Sequence, residues 1–151
     1  MLYPKKSLGQ NFLIDQNIIK KIIFLERVNK NNIVEIGPGT GNLTRQIIKY
    51  NPKSLTLIEK DTKLCDELKK NIKFDGKLKI FNNDILKFDL EKKIKKNSII
   101  FGNLPYNIST QILVKLLKFK NWPPKYNKLI LMFQKEVAER ILANYNKNNY
   151  G

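Results

Sequence analysis

The chain has 151 residues, 42% of them hydrophobic, and a formal net charge of +16 from 29 basic and 13 acidic side chains. This length and hydrophobic content predict one folded domain with its own core and exclude a disordered chain. With no histidine and a single cysteine, Cys65, the sequence argues against a zinc site, and its apolar runs are too short for a membrane span.

The positive charge favours polyanionic partners, namely nucleic acid or an anionic membrane surface. Lysine, asparagine and isoleucine are all abundant, a bias that an AT-rich genome also produces without selection for binding. However, residues 90–128 carry nine lysines and one glutamate, so the excess flanks one motif and is not spread evenly. The pattern therefore favours a partner with a phosphate backbone.

Predicted strands and helices alternate along the chain. The segment from Pro4 to Leu13 is irregular and basic, and Asp15 then caps a helix with an apolar stripe over Ile18, Ile19, Ile22, Ile23 and Leu25. The predicted strands are 33–36, 55–58, 78–81, 98–101 and 128–133. The other predicted helices are 42–50, 61–74, 109–118 and 135–143, and lysine-rich residues 92–96 are expected to form a solvated connection. This alternation predicts a parallel sheet covered by helices on both faces.

A glycine loop, Glu35-Ile36-Gly37-Pro38-Gly39-Thr40-Gly41, follows the first strand and precedes a helix. Glycines permit a tight turn and let a ligand approach the backbone. The spacing G-x-G-x-G differs from the G-x-G-x-x-G of dinucleotide-binding folds, and a glycine loop alone is a weak signal. Ligands of doubly wound sheets bind beyond the carboxyl ends of the strands, where this loop is expected to lie.

Acidic residues are expected at the ends of the next two strands. Glu59 lies 22 residues after Gly37, where a carboxylate can accept hydrogen bonds from both ribose hydroxyls. Asp84 ends the third strand and can hold an adenine amino group while Ile85 flanks the ring. Each has a purely structural alternative. Glu59 could be a surface glutamate beside Lys60, and Asp84 could form an Asx turn or a helix cap. Their occurrence at successive strand ends favours a nucleoside site.

The fourth strand enters Asn103-Leu104-Pro105-Tyr106. The Asn103 carboxamide oxygen can accept a hydrogen bond from an adenine-type amine, Pro105 fixes the turn, and Tyr106 offers a stacking face worth about 1–3 kcal/mol per base. The alternative is an ordinary strand-to-helix turn built from Asn, Pro and Ser.

Together these motifs resemble the ribosomal RNA adenine N6-dimethyltransferases. The matching residues run from Ser7-Leu8-Gly9-Gln10-Asn11-Phe12-Leu13 through the glycine loop, Glu59, Asp84 and Asn103–Tyr106 to Gln134-Lys135-Glu136-Val137. Within this family the sequence is most similar to the bacterial small-subunit enzymes, and the resemblance covers essentially all of residues 1–151. It implies an α/β Rossmann-like fold, a mostly parallel sheet with helices on both faces, which binds S-adenosylmethionine and yields S-adenosylhomocysteine without a metal.

The resemblance also implies roles for particular residues. The implied cofactor-binding residues are Asn11, Leu13, Gly37, Gly39, Glu59, Asp84, Ile85 and Asn103, and the implied catalytic residues, which contact the target adenine, are Asn103, Leu104, Pro105 and Tyr106. The implied partner is ribosomal RNA of the small-subunit precursor, and we expect a cytoplasmic monomer that binds no membrane. The sequence stops at Tyr150-Gly151, before the family's last two strands and helical C-terminal domain, so we expect an N-terminal fragment.

Other functions stay open at this point. A DNA adenine methyltransferase would use the same chemistry, although Leu104 stands where those enzymes usually carry proline. A large-subunit rRNA adenine methyltransferase and a non-catalytic ribosome-assembly or RNA-binding factor are further alternatives. A nicotinamide dehydrogenase is disfavoured by the glycine spacing.

Overall fold

The protein's structure, a computed structural model, describes residues 11–143. Within this range the strands are β1 (Asn32–Ile36), β2 (Ser54–Glu59), β3 (Lys77–Asn82), β4 (Ser98–Asn103) and β5 (Tyr126–Met132). The helices are α1 (Gln16–Phe24), α2 (Asn42–Lys49), α3 (Thr62–Asn71), α4 (Leu90–Lys93), α5 (Ser109–Leu117) and α6 (Lys135–Leu142). The predicted Ser7–Gln10 part of the N-terminal motif and the Tyr150-Gly151 terminus lie outside the described residues.

All four strand pairings are parallel, and the sheet has the order β3-β2-β1-β4-β5. The chain moves outward from β1 to β3, and then crosses back to the other side of β1 to form β4. The order therefore reverses beside β1, which is where doubly wound sheets open a crevice for ligands. This architecture confirms the predicted parallel α/β sheet.

Alternate residues of the central strands supply two separate cores. Ile33, Leu55 and Leu57 pack with the buried faces of α1, α2 and α3 on one side of the sheet. Val34 and Ile100 pack on the other side with α5 and with apolar side chains from residues 85–94. Each such aliphatic side chain contributes about 1.5–3 kcal/mol on full burial, so both faces of the sheet must be covered.

Two helix starts confirm their predicted caps. The Asp15 carboxylate accepts the Asn17 and Ile18 backbone N–H groups at 2.8 and 3.2 Å. Asp61 caps α3 in the same way. Both satisfy backbone donors that the first helical turn leaves unpaired.

Several predicted boundaries were wrong. Helix α3 ends at Asn71, whereas the sequence predicted a helix to Phe74, because Ile72 turns to extended backbone. The expected solvated connection at 92–96 overlaps α4, where Asp89 caps the first turn and Leu90 is buried. Asp84 lies two residues beyond the end of β3 and is not its last residue.

The outer strand β3 carries exposed lysines at its beginning. Lys77 and Lys79 are both exposed, on the same face of the strand. Burial, together with the positive charges of Lys77, Lys79 and Lys53, lowers the pKa of Lys95. The start of this sheet edge is therefore a cluster of like charges.

No helix within residues 11–143 is both long and apolar enough to cross a membrane.

Candidate functional site

A cavity opens at the carboxyl ends of β1, β2 and β4, beside the reversal of strand order. The loop after β3 and the segment before α1 complete its wall. All eight residues predicted to bind the cofactor line it, namely Asn11, Leu13, Gly37, Gly39, Glu59, Asp84, Ile85 and Asn103. The structure thus brings together residues up to 92 positions apart in the sequence.

The glycine loop needs its glycines for two different reasons. Gly37, Gly39 and Gly41 have φ angles of +68°, +56° and +80°, in the left-handed region that favours glycine. A Cβ atom on Gly39 would also lie 3.2 Å from the Phe12 ring, which packs directly over the loop. The N-terminal segment is held there by a 2.9 Å hydrogen bond from the Asn42 side chain to the Leu13 carbonyl.

Glu59 lies at the end of β2 and is buried, with 6% of its surface exposed. Its Oε2 accepts the Gly39 N–H at 3.1 Å and its Oε1 accepts the Asp61 N–H at 2.9 Å. Burial raises the pKa of this carboxyl, and the two backbone donors oppose that rise. A carboxylate has about four lone-pair positions, so acceptor capacity remains for hydroxyl groups of a ligand.

Glu35 also lines the cavity, although it was not predicted as a site residue. It is 2% exposed, and its Oε2 accepts a 2.7 Å hydrogen bond from the Thr44 hydroxyl. Burial raises the pKa of Glu35 to about 7, and the charge of Glu59 adds to that rise. The available signal was an acidic residue within Ile33-Val34-Glu35-Ile36, a strand buried on both faces. Such a residue needs a reason to be there.

Asp84 forms an ion pair with Lys60, for which the sequence analysis made no prediction. Its Oδ2 lies 2.9 Å from the Lys60 ammonium, while Oδ1 accepts the Leu86 N–H. The hydrogen bond from Lys60 is the main reason that the pKa of Asp84 is lowered. Lys60 itself lines the cavity. A ligand amine that reaches Asp84 therefore shares this carboxylate with Lys60.

Asn103, at the end of β4, is oriented by the N-terminal segment. Its Nδ2 donates a 2.6 Å hydrogen bond to the Asn11 carbonyl, and the Asn11 side chain in turn donates to the Tyr106 hydroxyl. A carbonyl only accepts hydrogen bonds, so this contact fixes which end of the carboxamide is the nitrogen. The Asn103 Oδ1 receives no hydrogen bond from the described residues and is available to a ligand donor.

The other predicted catalytic residues occupy different environments. Pro105 lines the cavity, and its carbonyl accepts the Ile108 N–H at 3.2 Å, which closes the turn before α5. The Leu104 side chain is 1% exposed and packs in the core, so only its backbone can face a ligand. Tyr106 is 38% exposed and is not among the residues that line the cavity. It is connected to the site through Asn11.

No group of three or more histidine, cysteine or acidic side chains within the described range is arranged to hold a metal ion. The cavity instead combines apolar side chains such as Ile36 and Ile58 with two buried carboxyls and a free amide oxygen. This composition suits an uncharged or cationic ligand with an apolar body and several hydroxyl or amino groups.

Comparisons with known proteins support the family resemblance that the sequence motifs indicated. The model of the family described as ribosomal RNA adenine dimethylase matches residues 1–151. The chain is 48% identical over 147 residues to ribosomal RNA small subunit methyltransferase A of Pelagibacter ubique, covering 97% of this chain and 55% of the relative. It is 46% identical over 155 residues to the protein of that name from a Wolbachia strain of Drosophila simulans, covering 100% and 55%.

A solved structure is similar as well. A dimethyladenosine transferase from Plasmodium falciparum superposes with a TM-score of 0.79 at 33% identity, over 93% of this chain and 50% of that one. The chain spans about half the length of the curated relatives that it matches.

Proposed function

This chain belongs to the ribosomal RNA adenine dimethylase family, and from that premise we propose that it methylates small-subunit ribosomal RNA. The reaction transfers methyl groups from S-adenosylmethionine to N6 of two adjacent adenosines near the 3′ end of that RNA. Residues 1–151 act in it as the S-adenosylmethionine-binding domain. The protein works as a cytoplasmic monomer on the small-subunit precursor, and it needs neither a metal ion nor a membrane.

One observation carries this proposal. The Asn103 carboxamide, with its oxygen unbonded by described residues, shares a cavity with Glu59 and the glycine loop. A group that recognises an exocyclic amine therefore lies beside groups suited to a nucleoside. An RNA-binding factor without catalytic activity would not need these two features in one cavity.

The cavity fits S-adenosylmethionine by the chemistry of its lining. Glu59, Asp84 and Ile85 all line the cavity. In this proposal Glu59 accepts the ribose hydroxyls and Asp84 accepts the adenine amino group, with Ile85 against the ring. The positive φ angles of Gly37 and Gly39 let the ligand approach the loop backbone. The buried carboxyl of Glu35, whose pKa is raised to about 7, adds negative potential in its ionised form, which favours a cationic ligand.

S-adenosylmethionine, when bound, supplies the activated methyl group, and the residues of this chain position the acceptor. The N6 nitrogen of adenine is a poor nucleophile because its lone pair is delocalised into the ring. In the first transfer, Asn103 Oδ1 accepts one N6 hydrogen and a backbone carbonyl near Leu104 accepts the other, which draws the nitrogen toward tetrahedral geometry. The lone pair then points into the cavity, so orientation and exclusion of water replace a strong base.

Tyr106 and Pro105 hold the adenine base in this proposal, and the proton released from N6 leaves to solvent. Tyr106 stacks on the adenine after it has left the RNA helix, and Pro105 fixes the turn that presents these groups. The excess proton passes to water. The Asn11 carbonyl keeps the Asn103 nitrogen away from the substrate, so that the oxygen faces the amine.

The direct test uses small ribosomal subunits from cells that lack this modification. The protein is incubated with them and with S-adenosylmethionine carrying a labelled methyl group, and the RNA is digested and analysed by mass spectrometry. We expect N6-dimethyladenosine at two adjacent positions of small-subunit RNA. Label in large-subunit RNA alone, or cofactor binding without any transfer, would contradict the proposal.

A further inference from the structure

A second concave surface lies on the α4–α5 side of the sheet, away from the glycine loop. Six lysines border it, and Phe88 and Phe119 lie at its base. We call it the lysine groove, and its lysines are Lys87, Lys92, Lys115, Lys118, Lys120 and Lys125.

The two carboxylates in the groove are already used within the fold. Glu91 accepts the backbone N–H groups of Lys120 and Asn121 at 2.9 and 2.6 Å, and also the Asn121 side-chain amide. Asp89 lies 2.8 Å from the Lys92 ammonium and caps α4. These acids therefore hold the loop before β5 and the start of α4, and they neutralise few of the lysines.

Three lysines of the groove have no such partner. Lys87, Lys118 and Lys120 are exposed, and none of their ammonium groups is paired with a carboxylate in the described part of the chain. Lys115 and Lys125 donate to the Leu86 and Glu91 carbonyls, which neutralise no charge. The groove consequently presents an excess of positive charge on a concave surface, which complements a polyanion.

The groove is connected to the cavity by two elements. Asp84 and Ile85 line the cavity, and Lys87, only two residues further on, borders the groove. Helix α5 begins beside the Asn103–Tyr106 turn and has nine residues, so its end lies about 13 Å from that turn. This distance corresponds to about four phosphates along one strand of a duplex at roughly 3.4 Å each.

We propose that the lysine groove binds the phosphate backbone of the RNA that flanks the target adenosines. This inference deepens the proposed function and rests on it, because that function makes RNA the polyanion. Contacts of this kind position the RNA and carry no sequence information, so the groove sets register while the cavity selects adenine.

The test compares two triple variants with the same change in charge. Lys87, Lys118 and Lys120 are changed to Gln in one. Lys20, Lys21 and Lys49, exposed lysines of α1 and α2 on the opposite face of the sheet, are changed to Gln in the other. The groove variant should keep its fold, since the three lysines take part in the described hydrogen bonds only through their own backbone N–H groups. Circular dichroism and the unfolding midpoint check this for both variants.

Binding of a fluorescein-labelled RNA hairpin with a mixed-sequence 3′ tail is measured by anisotropy between 50 and 300 mM KCl. Each lost phosphate contact removes about 0.7–0.9 from the slope of log K against log[salt], so the groove variant should lose about two to three. The control variant should keep the wild-type slope. An unchanged slope in the groove variant, or an equal loss in both variants, would overturn the proposal.

The methyl-transfer assay separates this proposal from the function on which it rests. If the wild-type protein methylates the RNA but the two variants have equal slopes, only the groove assignment is wrong. If the slopes differ as expected but no adenosine is methylated, the groove binds RNA and the proposed activity is wrong.

Discussion

Replacing Asn103 by alanine tests the proposed chemistry most directly. The change removes Oδ1, the acceptor for the substrate amine, together with the 2.6 Å hydrogen bond to the Asn11 carbonyl. Loss of one group that stabilises the transition state costs about 2.7–4 kcal/mol, or on the order of 10²–10³ in kcat. RNA affinity should change less than threefold, because no cation is removed.

Asn103→Asp separates the two roles of the side chain. It keeps an acceptor oxygen but places a second oxygen opposite the Asn11 carbonyl, where two acceptors repel. If the hydrogen bond from Asn103 to the Asn11 carbonyl orients the side chain, this variant should also lose at least tenfold in kcat.

Single-turnover transfer of a labelled methyl group, at saturating RNA and cofactor, measures the chemical step for both variants. Anisotropy with labelled RNA measures binding separately. Near-normal single-turnover transfer by Asn103→Ala would refute the reasoning. A fall that is matched by lost RNA binding would refute it equally.

Three further outcomes are expected. Glu59→Ala should weaken S-adenosylhomocysteine binding by about 1.5–3 kcal/mol in calorimetry, and unchanged affinity would remove Glu59 from the site. Tyr106→Phe keeps the ring but loses the hydrogen bond from Asn11, worth about 0.5–1.5 kcal/mol, so transfer should fall less than about tenfold, whereas Tyr106→Ala should fall further through lost stacking. Because burial raises the pKa of Glu35 to about 7 from an ordinary 4.5, its contribution to stability is present below pH 4.5 and lost as pH rises to 7. The free energy of unfolding, measured with urea, should therefore fall from pH 5 to pH 8 in the wild-type protein. In Glu35→Gln this fall should be smaller by on the order of 3 kcal/mol, and an equal fall in both proteins would contradict the assignment.

The layered fold was predictable from the sequence because its signals are local. Apolar runs such as Ile33–Ile36 bury both faces of a central strand, and aspartates at 15 and 61 cap helices within a few residues. The errors fell where longer-range contacts decide the backbone. Helix α4 has four residues and depends on burying Leu90 against the second core, which no pattern inside 92–96 reveals.

The composition of the site was also predictable, but its internal pairing was not. Loop glycines and polar residues after strands have local sequence signatures, whereas Asn11 and Leu13 were implied only by the family resemblance; all eight predicted cofactor residues line one cavity. The contacts of Asn103 with Asn11 and of Asp84 with Lys60 depend on how separate segments approach in space. The sequence therefore predicted many of the residues that line the cavity, although not Glu35 or Lys60, and left the orientation of their side chains to the structure.

The lysines at the start of β3 have a consequence for association between molecules. An outermost strand exposes unpaired backbone groups that can template the addition of a strand from another copy. If a copy of β3 paired parallel and in register with this strand, Lys77 and Lys79, with Lys53 and Lys95 nearby, would face the same charges on that copy, and this repulsion opposes the pairing. This edge therefore resists edge-to-edge aggregation with other copies, and the protection weakens as salt screens the charges.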